Sequence, residues 1–186
     1  MQYIIAGIGG QGILFTSKVL GKIAIDKGLP VIGSEVHGMA QRGGSVISHC
    51  KVGNYRGPLV RQGSADVVMA FDQGEGVRNL SFLKEGGTFL VNMHDPCALE
   101  NARLKKYMAD RKIKTCAFAG IDILNTHMGE GKLLFLNVLI VGAACGMKIE
   151  GFEEDRVISA LKELSPPRHV EANLKVFGLG MQAAVK

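Results

Sequence analysis

Tryptophan is absent from this 186-residue sequence, proline occurs five times, and the four cysteines (Cys50, Cys97, Cys116 and Cys145) include no CxxC pair. Without such a pair the chain offers ligands for neither an iron–sulfur cluster nor a zinc knuckle. Four scattered thiols in a chain with a large apolar core do not make a secreted disulfide scaffold either, so a reducing cytoplasmic setting is expected. Met1 runs straight into apolar residues, leaving no charged n-region for a cleavable signal. The longest apolar stretch, 133–145, is too short to span a bilayer and contains Asn137. Charge of one sign is not in excess: 22 Lys and Arg against 17 Asp and Glu give +5, spread over both halves, so no nucleic-acid tail is expected. Only Arg103, Lys105, Lys106, Arg111, Lys112 and Lys114 crowd together, beside Glu100 and Asp110. They read as a solvated helix end, with an anionic partner patch as the alternative.

Glycine is what the chain has in surplus, 25 residues with no collagen period. Such a surplus signals tight turns and close backbone approaches. The apolar run Tyr3-Ile4-Ile5-Ala6 stops at the cluster Gly7–Gly12. Ile13, Leu14, Ser17, Leu20 and Ala24 then repeat at helical spacing, up to Gly28-Leu29-Pro30. Pro30 to Gly33 opens a second strand, so the start reads β–loop–α–β with parallel crossovers. Residues 34–44 read as a polar loop; strands follow at 45–52, 66–71, 87–92 and 113–118, and helices at 74–83 and 97–110. Residues 125–130 read as a polar loop before an all-apolar helix at 132–144, with an amphipathic helix at 153–164. Ser165-Pro166-Pro167 is a hinge before a closing helix. The expected fold is a three-layer, Rossmann-like α/β domain with a mostly parallel sheet, a single unit over 1–186. The arm 166–186 either packs on it or reaches a partner.

Gly7, Gly9 and Gly12 satisfy G-x-G-x-x-G between a strand and a helix. There the free backbone N–H groups and the helix terminus make a cradle for an anion. A dinucleotide, another anion or a partner's backbone all suit such a turn, as do purely structural glycines. Gly10 and Gln11 leave the loop bare and polar. Glu35, His37, Gln41 and Arg42, flanked by Gly38, Gly43 and Gly44, leave the carboxyl end of the second strand, near the glycine turn if both strands exit one sheet edge. Arg42 can fork onto a carboxylate or phosphate, and His37 can relay a proton near neutral pH. The plainer alternative is that these groups bond the loop to itself or to a partner. His127 and Glu130 form a second polar loop. His49 and Cys50, adjacent in a strand, face opposite sides and cannot share a metal; no metal site and no nucleophile–base set emerge.

GIGGQG at 7–12 joined to SEVHGMAQRGGSVISH at 34–49 resembles the gamma-type component of 2-oxoacid:ferredoxin oxidoreductases, and the indolepyruvate branch in particular. The resemblance continues through PLVRQGSADVVMAFDQGEGVRNLSFLKEGGTFLVN at 58–92 and NTHMGEGKLLFLNVLIVGA at 125–143. It implies a subunit, inactive alone, of an enzyme that oxidatively decarboxylates a 2-oxoacid with coenzyme A and reduces ferredoxin. Thiamine pyrophosphate, Mg and iron–sulfur clusters are then expected in a large partner subunit, and coenzyme A as co-substrate. By position, the resemblance assigns Gly7, Gly9, Gly10, Gln11, Gly12 and Arg42 to binding. Glu35, His37, Gln41, Gly43, Gly44, His127 and Glu130 fall in loops facing substrate or partner. The pyruvate, 2-oxoglutarate and branched-chain branches are the alternatives within the family, and a free-standing dinucleotide reductase and a non-catalytic structural subunit are the competing classes.

Overall fold

The computed structural model describes residues 1–40 and 43–184. Its first strand, β1 (Gln2–Ile8), is buried along its central residues. Two neighbours cover it: β3 (Ser45–Val52) pairs antiparallel on one side and β4 (Ala65–Ala70) parallel on the other. Beyond β3 lies β2 (Val31–His37), antiparallel to it; beyond β4 lie β5 (Leu83–Asn92) and β6 (Lys114–Phe118), both parallel. The six strands therefore run in the order β2-β3-β1-β4-β5-β6.

Helices cover both faces. On one, α1 (Ile13–Asp26), α5 (Leu136–Gly146), α6 (Glu154–Leu164) and α7 (Val170–Ala183) bury Leu20, Ile23, Leu139, Ile140, Leu161 and Phe177 against Tyr3, Ile5 and Met69. On the other, α3 (Ala102–Asp110) and the turn after α2 (Gln73–Asn79) bring Leu104, Tyr107 and Leu80 onto Ile4, Ala6, Val68 and Phe89. The alternation of Tyr3 and Ile5 with Ile4 and Ala6 between the two clusters is the period of two that a strand imposes. α5 is apolar nearly all round because the sheet, α1 and α7 enclose it, and each of its Leu, Ile and Val side chains contributes about 1.5–3 kcal/mol by burial. α7 lies along α5 through small residues: a β-carbon on Gly142 or Gly180 would overlap the backbone of the facing helix, at Phe177 and Leu139 respectively. The segment after Pro166-Pro167 is thus packed on the same core.

Three expectations are corrected. The sheet is mixed, because only positions 38–44 separate β2 from β3, too few for the crossover a parallel neighbour needs. Glu35 and His37 are strand residues, since β2 runs to His37 and pairs with β3 throughout. His127 sits in the last turn of a helix, α4 (Gly120–Met128), where a loop was expected. In the basic run at 103–114, three of the six cations are ion-paired: Lys105 with Glu100, Lys106 with Asp110, and Lys112 with Glu85. Exposed pairs of this kind contribute little to stability.

Candidate functional site

β1 and β2 point the same way, with the antiparallel β3 between them. Val46 of β3 pairs with Gly7 on one side and His37 on the other, so both strands end where β3 begins. Backbone bonds weld the three ends together: Gly9 N–H donates to Gly44 O at 2.8 Å and Gly38 N–H to Ser45 O at 2.8 Å. The glycine turn and the near parts of the 35–44 segment therefore form one ledge at the carboxyl edge of the sheet. Gln41 and Arg42 lie outside the described residues. The resulting cavity, about 270 Å³, is lined by Gly9, Gly10, Gly12, Ile13, Leu14, His37 and Val46. A more polar cavity of about 370 Å³ lies between α1 and β2, lined in part by Ser17, Gly33, Glu35 and Ser48. Ser17 Oγ donates to Ser48 Oγ there at 2.8 Å.

The turn is built to leave donors free. Gln11 turns its side-chain oxygen inward to accept Ile8 N–H at 2.7 Å, which commits that oxygen to closing the turn and leaves only its amide nitrogen for other partners. Gly12 precedes α1 with φ of 88° and no side-chain cap, a left-handed conformation that L side chains avoid. The N–H groups of Gly10, Gly12, Ile13 and Leu14 have no acceptor among the described residues. Open amides at a helix N-terminus are an anion site in the general sense.

Glu75, which no motif marks, holds the ledge from the other face. It is 4% exposed, and one carboxylate oxygen accepts from Ser45 Oγ at 2.6 Å while the other pairs with Arg78. His127 and Glu130 are exposed, and no recorded contact links them to the glycine turn; Lys175 Nζ donates to the His127 carbonyl at 3.2 Å. Their segment leads into α5, whose Asn137 does touch the turn. Leu14 in the first turn of α1, Val36 and Met39 near the end of β2, and Leu133 and Leu134 ahead of α5 are large apolar side chains exposed to solvent.

The remaining chemistry is sparse. His49 is buried with Nδ1 accepting Val60 N–H at 3.1 Å, edge-on to Phe82, while Cys50 faces the α1 side. Burial and Lys51 hold the His49 imidazole below its ordinary pKa. Burial raises the Cys50 thiol to about 11 and also raises those of Cys116 and Cys145, so these sulfurs stay protonated. Cys50 on β3 and Cys116 on β6 stand four strands apart, roughly 19 Å at the usual spacing. Such a donor set does not fit an iron–sulfur cluster. No group of three His, Cys, Asp or Glu among the described residues is arranged for a metal ion. A groove of about 920 Å³ lies away from the ledge, on the side where the Tyr3 hydroxyl donates to the Glu150 carbonyl. It is lined by Cys145, Ile149, Phe152 and Met181, with Glu153 taken by Lys27. No single helix among the described residues is long and apolar enough to cross a membrane.

A sequence model described as pyruvate ferredoxin/flavodoxin oxidoreductase matches residues 2–183. The chain belongs to this family. As a member of the pyruvate ferredoxin/flavodoxin oxidoreductase family it corresponds to a subunit of an oxidoreductase acting with ferredoxin. It is 33% identical to the indolepyruvate oxidoreductase subunit IorB of Pyrococcus horikoshii, over 97% of this chain and 94% of that protein. With the IorB of Methanothermobacter thermautotrophicus it shares 32%, over 98% and 96%. The 2-oxoglutarate synthase subunit KorC of the latter organism is 27% identical, over 96% and 92%. The fold matches the gamma subunit of a keto/oxoacid ferredoxin oxidoreductase from Geobacter sulfurreducens, with TM-score 0.74 and 24% identity over 99% of this chain and 98% of that one. It also matches part of a 2-oxoglutarate:ferredoxin oxidoreductase from Magnetococcus marinus solved with 2-oxoglutarate, coenzyme A and succinyl-CoA, with TM-score 0.76 and 17% identity over all of this chain and 31% of that one.

Proposed function

We propose that this chain is the small subunit of an indolepyruvate:ferredoxin oxidoreductase and that its ledge receives coenzyme A against a large partner subunit. The reaction converts an aryl 2-oxoacid anion and coenzyme A to the acyl-CoA, carbon dioxide and a proton, and passes two electrons singly to ferredoxin. The observation that carries the ledge reading is the Gly9–Gly44 bond, which joins four free amides of the glycine turn to the start of β3. The aryl substrate is supported by the 31–33% identity to four IorB proteins against 26–27% to two KorC proteins.

The partner supplies thiamine pyrophosphate with Mg for carbon–carbon cleavage and clusters for electron transfer, chemistry for which the cysteines here are unsuited. What this chain contributes is binding and orientation. The free amides at Gly10, Gly12, Ile13 and Leu14 hold a phosphate, Arg42 adds charge, and the exposed Leu133 and Leu134, just ahead of Asn137 in the chain, dock the partner. The test is reconstitution with the large subunit encoded by the same organism, assayed with coenzyme A and ferredoxin on indolepyruvate, pyruvate, 2-oxoglutarate and 2-oxoisovalerate. The expected result is a kcat/KM highest for indolepyruvate and no turnover by the lone chain. A preference for 2-oxoglutarate would move the chain to the second branch, and turnover by the chain alone would end the subunit reading.

A further inference from the structure

Asn137 is 9% exposed, in the first turn of α5, and lies against the glycine turn: its Nδ2 is 2.6 Å from where a β-carbon on Gly12 would stand. The amide's orientation is set by its own helix, since Oδ1 accepts the Val138 N–H at 2.8 Å. That bond satisfies one of the donors every helix start leaves open. The nitrogen is then left over. It donates to nothing among the described residues, although a buried polar group without a partner is normally costly. Nor is it sealed away, because among the described residues the wholly enclosed side-chain polar atoms without partners are Thr16 Oγ1 and Arg111 Nε.

The neighbours of that nitrogen give its purpose. It flanks the same Gly12 whose N–H, with those of Gly10, Ile13 and Leu14, opens without an acceptor at the start of α1. Two donor systems from elements 125 positions apart in sequence thus meet at Gly12, and neither has an acceptor among the described residues. An oxyanion seated on the turn would accept from both. We propose that Asn137 is a binding residue of this site, donating its Nδ2–H to a phosphate oxygen of coenzyme A alongside the turn amides. The inference rests on the reading of the glycine turn as the coenzyme A site. Either the diphosphate or the 3′-phosphate offers the required oxygen.

Asn137→Asp separates this role from a structural one. The carboxylate still accepts Val138 N–H and suits the positive end of α5, so folding is preserved. The donor is lost, and a negative charge faces the phosphate. In the ¹⁵N-labelled full chain, titration with inorganic pyrophosphate, coenzyme A and 3′-dephospho-coenzyme A is expected to shift the Asn137 side-chain amide together with the Gly10, Gly12 and Leu14 amides. Equal shifts with the dephospho form assign the diphosphate; loss of shifts assigns the 3′-phosphate. Asn137→Asp is expected to weaken coenzyme A binding by about tenfold or more at an unchanged melting temperature, and to raise the KM for coenzyme A but not for the 2-oxoacid in the reconstituted complex. Glycine shifts without an Asn137 shift, or wild-type affinity in the Asp variant, would overturn the assignment and leave the coenzyme A site standing. Silence of all turn amides toward every phosphate probe, in the chain and in the complex, would end both.

Discussion

A β-carbon on Gly180 would overlap the carbonyl oxygen of Leu139, so α7 and α5 meet backbone to backbone. Neither side can retreat, because the carbonyl belongs to a helix enclosed by the sheet and α1. Gly180→Ala is expected to destabilise the fold by about 2–3 kcal/mol, lowering the melting temperature by roughly 5–10 °C for a chain of this size. Gly178, two residues earlier, meets nothing, and Gly178→Ala is expected to stabilise by about 0.5–1 kcal/mol. Equal effects of the two substitutions in thermal melts would refute the close contact.

His49 should make stability depend on pH in a defined direction. Its native pKa is lowered from the ordinary 6.5. The unfolded chain therefore takes up a proton that the native imidazole resists. The contribution is fully present above about pH 6.5 and is lost as pH falls below that value toward the native pKa. Protonation of Nδ1 would also remove the acceptor for Val60 N–H. Urea midpoints at pH 7.5 and 5.5 are expected to differ less in His49→Gln than in the wild type. The same pH dependence in both would remove His49 as its source.

Glu75 and Arg78 form one ion pair but should respond unequally to truncation. The Glu75 side chain is 5% exposed and holds Ser45, whereas that of Arg78 is 73% exposed. Glu75→Ala is expected to cost about 1–3 kcal/mol and to speed amide exchange at Gly9, whose acceptor Gly44 adjoins Ser45. Arg78→Ala is expected to change stability by less than about 1 kcal/mol. Native-state hydrogen exchange on both variants checks the contrast. Unaltered Gly9 protection in Glu75→Ala would disconnect α2 from the ledge.

Arg42 carries the charge argument for the ledge. In the reconstituted complex, Arg42→Ala is expected to raise the KM for coenzyme A by roughly tenfold to a hundredfold, the cost of one charge-assisted hydrogen bond. The KM for the 2-oxoacid should stay as it was. Unchanged coenzyme A binding with intact assembly, measured by steady-state kinetics and gel filtration, would take Arg42 out of the site.

How much of this was legible follows from where signals are local. The run from Tyr3 to Ala24 announces strand, turn and helix because its glycines and its apolar spacing change together over a few residues. The ledge was legible as well, since β1 and β2 do end at one edge. The direction of β3 was not, because nothing in Ser45–Val52 distinguishes a parallel from an antiparallel neighbour. β2 was read too short because Ser34, Glu35 and His37 sit on a solvent-facing edge strand, where polar residues carry no alternation. α4 was hidden by Asn125, Thr126 and the glycines after it. Asn137 and Glu75 gave no signal as ledge residues, since their partners Gly12 and Ser45 are distant in the chain.

α5 is clamped twice, by Gly12 at its beginning and by Gly180 against its middle, with close fits that tolerate no added atom. It has no slack with which to slide or tilt. Docking of a neighbour or filling of the turn therefore meets a fixed rod, and the adjustment that accompanies it falls outside α5. Crystallographic or exchange comparisons across binding states should find that rod unmoved relative to β1 and α7.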